Sequence, residues 1–171
     1  MSKRTILITG LISNDPIDVK ALLKKVEQVA KELGIELQLV DASKVYGKEH
    51  LEIAAEKAIR AFDEGRNFGK TLAVEVILYA SGKRQISEAL RFMGLHEGIK
   101  ELGAVAIAGP GDKIPPDIEK RLGLERNDDI LKGSDDVLEA FGIGPEMRKG
   151  IPKVRWGDLV LERVSLLDIE K

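Results

Sequence analysis

The chain has 171 residues, of which 43% are hydrophobic and 33% charged, as expected for a single globular domain spanning residues 1–171. Its formal net charge of −2 gives no overall attraction for nucleic acid, so any RNA contact must come from a local basic patch. The absence of cysteine excludes disulfides, thiolate catalysis and cysteine-based metal sites, and it favours a cytoplasmic location. No apolar run approaches the length of a membrane span, so we expect neither a signal peptide nor a membrane anchor.

The first third of the chain alternates short apolar runs with amphipathic stretches, a pattern typical of alternating strands and helices. The predicted elements are a strand at residues 4–12, a helix at 15–33, a strand at 35–40 and a helix at 48–64. Asp15 and Pro16 are the expected N-cap and first residue of the first helix, and Gly34 is its expected stop.

Residues 72–80 form a nearly continuous apolar run, which predicts a central strand covered on both faces. Val74, Val76 and Leu78 should then be buried under the helices that begin near Asp15 and Lys48. A junction of Ser-Gly-Lys-Arg follows this run and leads into an amphipathic helix that starts near Ile86 and reaches Met93. The predicted arrangement is therefore strand, turn and helix.

The C-terminal part of the chain reads as a strand at residues 103–108 and, beyond Pro115, only helices. The predicted helices lie at about 116–122, 135–141, 145–149 and 157–169. On the last helix, Val160, Val164 and Leu167 belong to the core-facing stripe, whereas Leu161 and Leu166 lie off it. The predicted fold class is α/β, a single domain with a central β-sheet flanked by helices and a helical C-terminal region.

The junction does not match the common catalytic loops. A Walker A loop needs glycine where Ile77 stands and a hydroxyl residue where Arg84 stands, and a nucleophile elbow needs glycine in place of Tyr79. His50 and His96 lack neighbouring ligands at metal-binding spacing, so we expect both at the surface. No catalytic residues, metal or cofactor are predicted.

The junction does offer an anion-binding position. Lys83, Arg84 and Gln85 fall at the first turn of the predicted helix, where free backbone N–H groups and the helix dipole favour a phosphate. Three further candidates for RNA contact are weaker, namely Arg60, Asn67 and Lys70. From the spacing alone, these cations can equally be ordinary solubilising residues, and the loop at residues 66–70 is expected at the opposite end of the strand from the junction.

Three segments together carry a resemblance to a known family. They read DASKVYGKEHLEIAAEKAIRAF, RNFGKTLAVEVILYASGKRQISEALRFMG and LVLERVSLLDI, and they resemble the PRPK-binding proteins, the TPRKB-type accessory subunit of the KEOPS complex. The element at residues 80–86 is the most specific part, while the first 35 residues and residues 110–150 resemble the family only in pattern. The segment between Gly111 and Gly150 is longer and more acidic than the resemblance leads us to expect.

The resemblance implies an archaeal, non-enzymatic protein that binds the PRPK-type kinase/ATPase of KEOPS, which helps to install threonylcarbamoyl on adenosine 37 of tRNA. Archaeal members are implicated in holding the single-stranded 3′ CCA end of the tRNA, and no DNA partner is expected. For the kinase we expect a surface made by the apolar residues Ile143, Ile151, Leu161 and Leu166. The alternative is a small α/β enzyme or nucleotide-binding domain that uses residues 80–86 as a phosphate site.

Overall fold

In a computed structural model of the chain, residues 3–170 are described, and they form a central β-sheet with helices packed on both faces. The strands are β1 (Thr5–Ile12), β2 (Glu36–Asp41), β3 (Glu101–Ala108) and β4 (Glu125–Arg126). The α-helices are α1 (Val19–Leu33), α2 (Lys48–Asp63), α3 (Leu72–Ser81), α4 (Ile86–Met93), α5 (Ile118–Arg121), α6 (Asp135–Ala140), α7 (Pro145–Arg148) and α8 (Trp156–Glu170). The predicted fold class is confirmed.

The sheet has the strand order β2-β3-β1-β4, and every neighbouring pair is antiparallel. Strand β3 lies between β1 and β2, and its residues from Leu102 to Ala108 are all buried. The short β4 pairs with Leu11 and Ile12 at the far edge. It corrects the expectation that only helices follow Pro115, because a two-residue strand leaves no periodic pattern in a sequence.

Two hydrophobic cores lie on opposite faces of the sheet. On one face, Leu22, Val26 and Val29 of α1 pack together with Leu11 and neighbouring strand residues. On the other face, α2 and α3 pack against the remaining strand side chains, and α8 adds Val164 and Leu167. In residues 3–170, no helix is both long enough and apolar enough to cross a membrane.

The segment predicted as a central strand is helix α3, so the strand prediction for residues 72–80 is wrong. All side chains from Glu75 to Ser81 are buried, and a helix buried on every side shows the same continuous apolar run as a central strand. The local signals of the helix are its caps. Thr71 accepts a hydrogen bond from the N–H of Val74, and Gly82 ends the helix in the left-handed conformation.

Two details of the predicted elements also change. Helix α1 begins at Val19 and is capped by Asp18, whose carboxylate accepts from the N–H of Ala21, whereas Asp15 and Pro16 lie in the preceding loop. Val76 and Leu78 are fully buried and Val74 is partly buried, in the core that α2 shares. The predicted cover by the helix near Asp15 is wrong, because α1 packs in the core on the other face of the sheet. The predicted helices in the C-terminal part are confirmed within one or two residues at most ends.

His50 is buried, with only 1% of its surface exposed, which corrects its predicted surface position. Its Nδ1 accepts a hydrogen bond from the N–H of Tyr46 at 3.1 Å, so the proton must sit on Nε2, which donates to the carbonyl of Ala80 at 2.8 Å. Burial lowers the pKa of His50 to about 4, although the hydrogen bond to Ala80 favours the charged form. His96 is exposed, as predicted, and lies 3.1 Å from the carboxylate of Asp41.

The low pKa of His50 predicts a pH-dependent free energy of unfolding. The unfolded chain binds a proton at His50 below pH 6.5, whereas the folded chain does so only below about pH 4. Stability is therefore fully present above pH 6.5 and is lost as the pH falls toward 4, by about 3 kcal/mol in total. Urea denaturation at pH 7, 5.5 and 4.5 should show a shallower pH dependence for His50→Gln than for the wild type. If His50→Gln kept the pH dependence of the wild-type free energy of unfolding, His50 would not be its source. The same conclusion would follow if the exposed control His96→Gln weakened that pH dependence as much as His50→Gln does.

Candidate functional site

The junction at residues 80–86 is a tight turn between helices α3 and α4. Gly82 has φ of 70°, and its N–H donates to the carbonyls of Leu78 and Tyr79, which ends α3. Ser81 fixes the turn, since its hydroxyl donates to Leu78 and accepts from the N–H of Lys83. The strand-turn-helix on which the nucleotide-binding alternative depended is therefore absent here.

The three strongest RNA-binding candidates come together at one open groove. Lys83, Arg84 and Gln85 line a groove of about 700 Å³ together with Phe68, Gly82 and Glu88. Helix α4 starts at Ile86, and the side chain of Gln85 makes no capping hydrogen bond to it. The groove thus combines basic side chains, an amide, a carboxylate and one aromatic ring at the beginning of a helix.

Sequence reasoning selected neither Glu88 nor Phe68 of this groove, and Phe68 comes from a different segment of the chain than the junction. The side chain of Phe68 is 40% exposed, and the predicted strand had placed its loop at the far end of the element from the junction. In the structure, Phe68 and residues 82–85 line the same groove. The feature of the sequence that could have pointed to Phe68 is an aromatic residue in a short, polar, glycine-containing loop.

A buried carboxylate holds the loop that carries Phe68. Glu75 has no exposed surface, and its carboxylate accepts hydrogen bonds from the N–H groups of Phe68 at 3.0 Å and Gly69 at 2.9 Å. A Cβ atom at Gly69 would lie 3.0 Å from the backbone nitrogen of Glu75, so a larger residue would push the loop slightly away from α3. Asn67 closes the loop by donating to the carbonyl of Gly69. The position of Phe68 is therefore determined by α3.

The three weaker RNA-binding candidates do not join this groove. Arg60 lines a separate groove of about 740 Å³ between α2 and the start of β1, with Lys3 and Arg4 as further basic residues. Asn67 is engaged within its own loop, and Lys70 is exposed but lines neither groove. Near the junction, the ammonium group of Lys83 lies 5.0 Å from the ring centre of Phe92, which positions it beside α4.

The four predicted kinase-binding residues differ widely in exposure. Ile143 is completely buried in a small core with Leu138 and Val160, which corrects its assignment to an exposed patch. Ile151 and Leu161 are partly exposed, and Leu166 is 42% exposed. Helix α8 also exposes Ile169, which sequence reasoning did not select. The core assignments of Val160, Val164 and Leu167 are confirmed.

A cluster of polar side chains around Asp168 connects the end of α8 to α2 and α3. Asp168 accepts hydrogen bonds from the hydroxyl of Tyr79 at 2.5 Å and from the ammonium group of Lys57 at 2.8 Å, with Arg66 at 3.8 Å. Burial raises the pKa of the Tyr79 hydroxyl, and the hydrogen bond to Asp168 raises it further. Burial also opposes ionisation of Asp168, but these hydrogen bonds outweigh it and lower the pKa of Asp168.

The junction lies directly against α8. A Cβ atom at Gly82 would stand 3.2 Å from the carbonyl oxygen of Arg163, so only glycine allows this contact without a shift. Leu166 follows Arg163 by three residues and therefore lies one turn further along a similar face of α8. Of the exposed apolar residues of α8, Leu166 is thus within about one helical turn of the point where the junction meets this helix.

Comparison with known proteins supports the resemblance seen in the sequence. Residues 14–143 match the family model described as kinase binding protein CGI-121. The chain belongs to this family. The match includes α1 and most of the acidic segment after Gly111, and both of these regions resemble the family only in pattern in the sequence analysis. The match ends before α8.

Two archaeal relatives agree with this assignment. The chain is 27% identical over 143 residues to the regulatory protein Cgi121 of Methanocaldococcus jannaschii, an alignment that covers 81% of this chain and 88% of the relative. It is 29% identical over 125 residues to the KEOPS complex subunit Cgi121 of Pyrococcus abyssi, covering 72% of this chain and 70% of that protein.

Proposed function

We propose that this chain is a non-catalytic accessory subunit of a KEOPS complex in the cytoplasm. It binds the PRPK-type kinase/ATPase subunit and helps to recruit tRNA, through its 3′ CCA end, for threonylcarbamoyladenosine modification at position 37. The observation that carries the proposal is the match to a kinase-binding family over residues 14–143. The name of the Pyrococcus abyssi relative supports membership of the complex.

The kinase-binding surface in this proposal is the exposed apolar side of α8 and the loop before it. Leu166 and Ile169 present apolar side chains to solvent, and Leu161 and Ile151 are partly exposed. Exposed apolar residues clustered on a terminal helix are typical of a partner interface. Ile143 supports this surface from within the core.

A test of this surface compares charged substitutions at exposed leucines. Leu166→Glu should weaken kinase binding by a few kcal/mol while the free protein stays folded, because the residue is already 42% exposed. Leu23→Glu is the matched control, since Leu23 is 49% exposed but lies on α1, on the opposite face of the sheet. Calorimetric titration with the purified kinase subunit measures both.

Ile151→Glu extends the same measurement to the loop before α8, where Ile151 lines a small groove with Leu159 and Glu162. Wild-type affinity in both folded variants, Leu166→Glu and Ile151→Glu, would exclude this surface. A loss of affinity in Leu23→Glu as large as that in Leu166→Glu would also exclude it.

The RNA-binding surface in the proposal is the groove at the junction. Lys83 and Arg84 supply positive charge, and Arg84 can hold a phosphate through two parallel N–H groups. Gln85 adds a side-chain donor and acceptor for a base edge. Arg60, Asn67 and Lys70 remain weaker candidates, since they lie outside this groove. Other subunits of the complex supply the remaining affinity for tRNA.

The test of this groove is Arg84→Glu, measured by binding of intact tRNA and of tRNA that lacks its CCA end. We expect the variant to bind intact tRNA more weakly. The slope of the logarithm of the binding constant against the logarithm of the salt concentration should become shallower by about one, because one phosphate contact is lost. Lys31→Glu makes the same change of charge on α1, far from the groove, and should have little effect. Equal binding by Arg84→Glu and the wild type, or no effect of removing CCA, would refute this site.

A further inference from the structure

We propose that two copies of this chain associate about a two-fold axis along the groove between α1 and β2, with their β2 strands paired edge to edge. The groove has a volume of about 490 Å³, and all of its lining residues belong to α1 or to β2. It therefore opens on the outer side of β2, away from β3. The inference uses no residue of the proposed kinase and RNA surfaces, so it stands apart from the proposed function.

Strand β2 ends the sheet, so one edge of its backbone has no neighbouring strand. The alternation of the ladder shows which groups face that edge. Gly10 bonds through its N–H and C=O to residues 127–128, away from β3, so its partner Gly103 directs the same groups toward Val40 of β2. Leu37, three residues before Val40, therefore directs its N–H and C=O away from the sheet. Neither group has a hydrogen bond to another of the residues 3–170.

The unpaired groups of this edge match one register of a two-fold pairing. In an antiparallel pair, a residue that faces its own copy across the axis donates to that copy and accepts from it, as the free N–H and C=O of Leu37 allow. The next pair brings Leu39 opposite Ile35 of the second copy, where the free N–H of Leu39 meets a free carbonyl. The other two groups of that pair are already satisfied, because the N–H of Ile35 donates to Ala30 and the carbonyl of Leu39 accepts from the side chain of Gln38.

Burial makes the unpaired groups of Leu37 costly in a single copy. The residue is only 6% exposed, so its N–H and C=O have little contact with water to replace the missing hydrogen bonds. Pairing with a second strand supplies both bonds. This gain is specific to an extended backbone, because a helix or a side chain cannot satisfy a strand edge in the same regular way.

The charges of the groove match under the same two-fold operation. Lys20 and Lys24 line the end of the groove at the first half of α1, whereas Glu36 lines the other end, because the chain reverses direction at Gly34. Neither lysine has an ion pair or hydrogen bond to another of the residues 3–170. A two-fold axis across the groove reverses it in the second copy, so the lysine end of each chain meets the glutamate end of the other.

An exposed apolar side chain lies between these charged ends. Leu23 is 49% exposed and follows Lys20 by one turn along α1. An apolar centre with charged ends is the usual composition of a protein interface. The backbone donors and acceptors, the charges and Leu23 are all matched by one two-fold operation, which favours a second copy over an unrelated protein.

The experiment measures the mass of the full chain by sedimentation equilibrium over a wide range of protein concentration. We expect a reversible equilibrium between one chain and two, and Leu23→Glu should raise the dissociation constant roughly tenfold or more because both copies carry the change. Leu90→Glu is the matched control, since Leu90 is 48% exposed but lies on α4, outside the groove. It should leave the dissociation constant unchanged.

A second pair of variants tests the charges. Lys24→Glu places a negative charge where the second copy presents Glu36, so it should weaken association. Lys25→Glu makes the same change at the adjacent exposed residue, which lies on the other flank of α1, where its Nζ would be 3.3 Å from a Cβ atom at Gly123. It should have little effect. Urea denaturation of all four variants confirms that each is folded.

Amide hydrogen exchange tests the register directly. Exchange at Leu37 should slow as the protein concentration rises, because its N–H becomes a donor only in the pair. A single chain at every concentration would overturn the inference, and a weaker affinity of Leu23→Glu for the kinase subunit would then assign the groove to that partner instead. A pair that persists equally in Leu23→Glu and Lys24→Glu, or exchange at Leu37 that does not change with pairing, would overturn it as well.

Discussion

The burial of helix α3 on every side is the constraint on which the rest of the structure depends. A helix in this position must satisfy each of its polar groups within the protein, because water does not reach them. The carboxylate of Glu75 accepts hydrogen bonds from the N–H groups of the preceding loop, and the hydroxyl of Tyr79 donates to Asp168 on α8. The carbonyl of Ala80 accepts a hydrogen bond from His50 on α2. Each of these bonds also positions a neighbouring element. The groove, the end of α8 and the start of α2 are therefore arranged around one buried helix.

This arrangement brings the two proposed binding surfaces together. Gly82 ends α3 and allows the junction to lie against the backbone of α8 at Arg163, one helical turn from the exposed residue Leu166. A subunit that joins a kinase to an RNA benefits from such proximity, because one bound partner raises the effective concentration of the other.

Sequence reasoning correctly predicted the helices that have one buried face and one exposed face. Helices α1, α2 and α8 each have a buried stripe, which the spacing of apolar residues reveals. Helix α3 has no exposed side, so its apolar residues show no helical periodicity in the sequence. Only the capping residues Thr71 and Gly82 indicate a helix. That error separated Phe68 from the junction, although the other residues of the groove follow α3 directly along the chain. Ile143 was misplaced for another reason, since the short helices around it form a small core of their own that no single periodic pattern describes.

Amide hydrogen exchange in the free protein, resolved by residue, tests most directly whether α3 organises the groove at the junction. The N–H groups of Phe68 and Gly69 lie in a surface loop but donate to the buried carboxylate of Glu75. They should exchange about as slowly as the amides within α3, whereas the amide of Lys70, for which no hydrogen bond to another of the residues 3–170 is found, should exchange quickly. Exchange of Phe68 and Gly69 as fast as that of Lys70 would contradict the account.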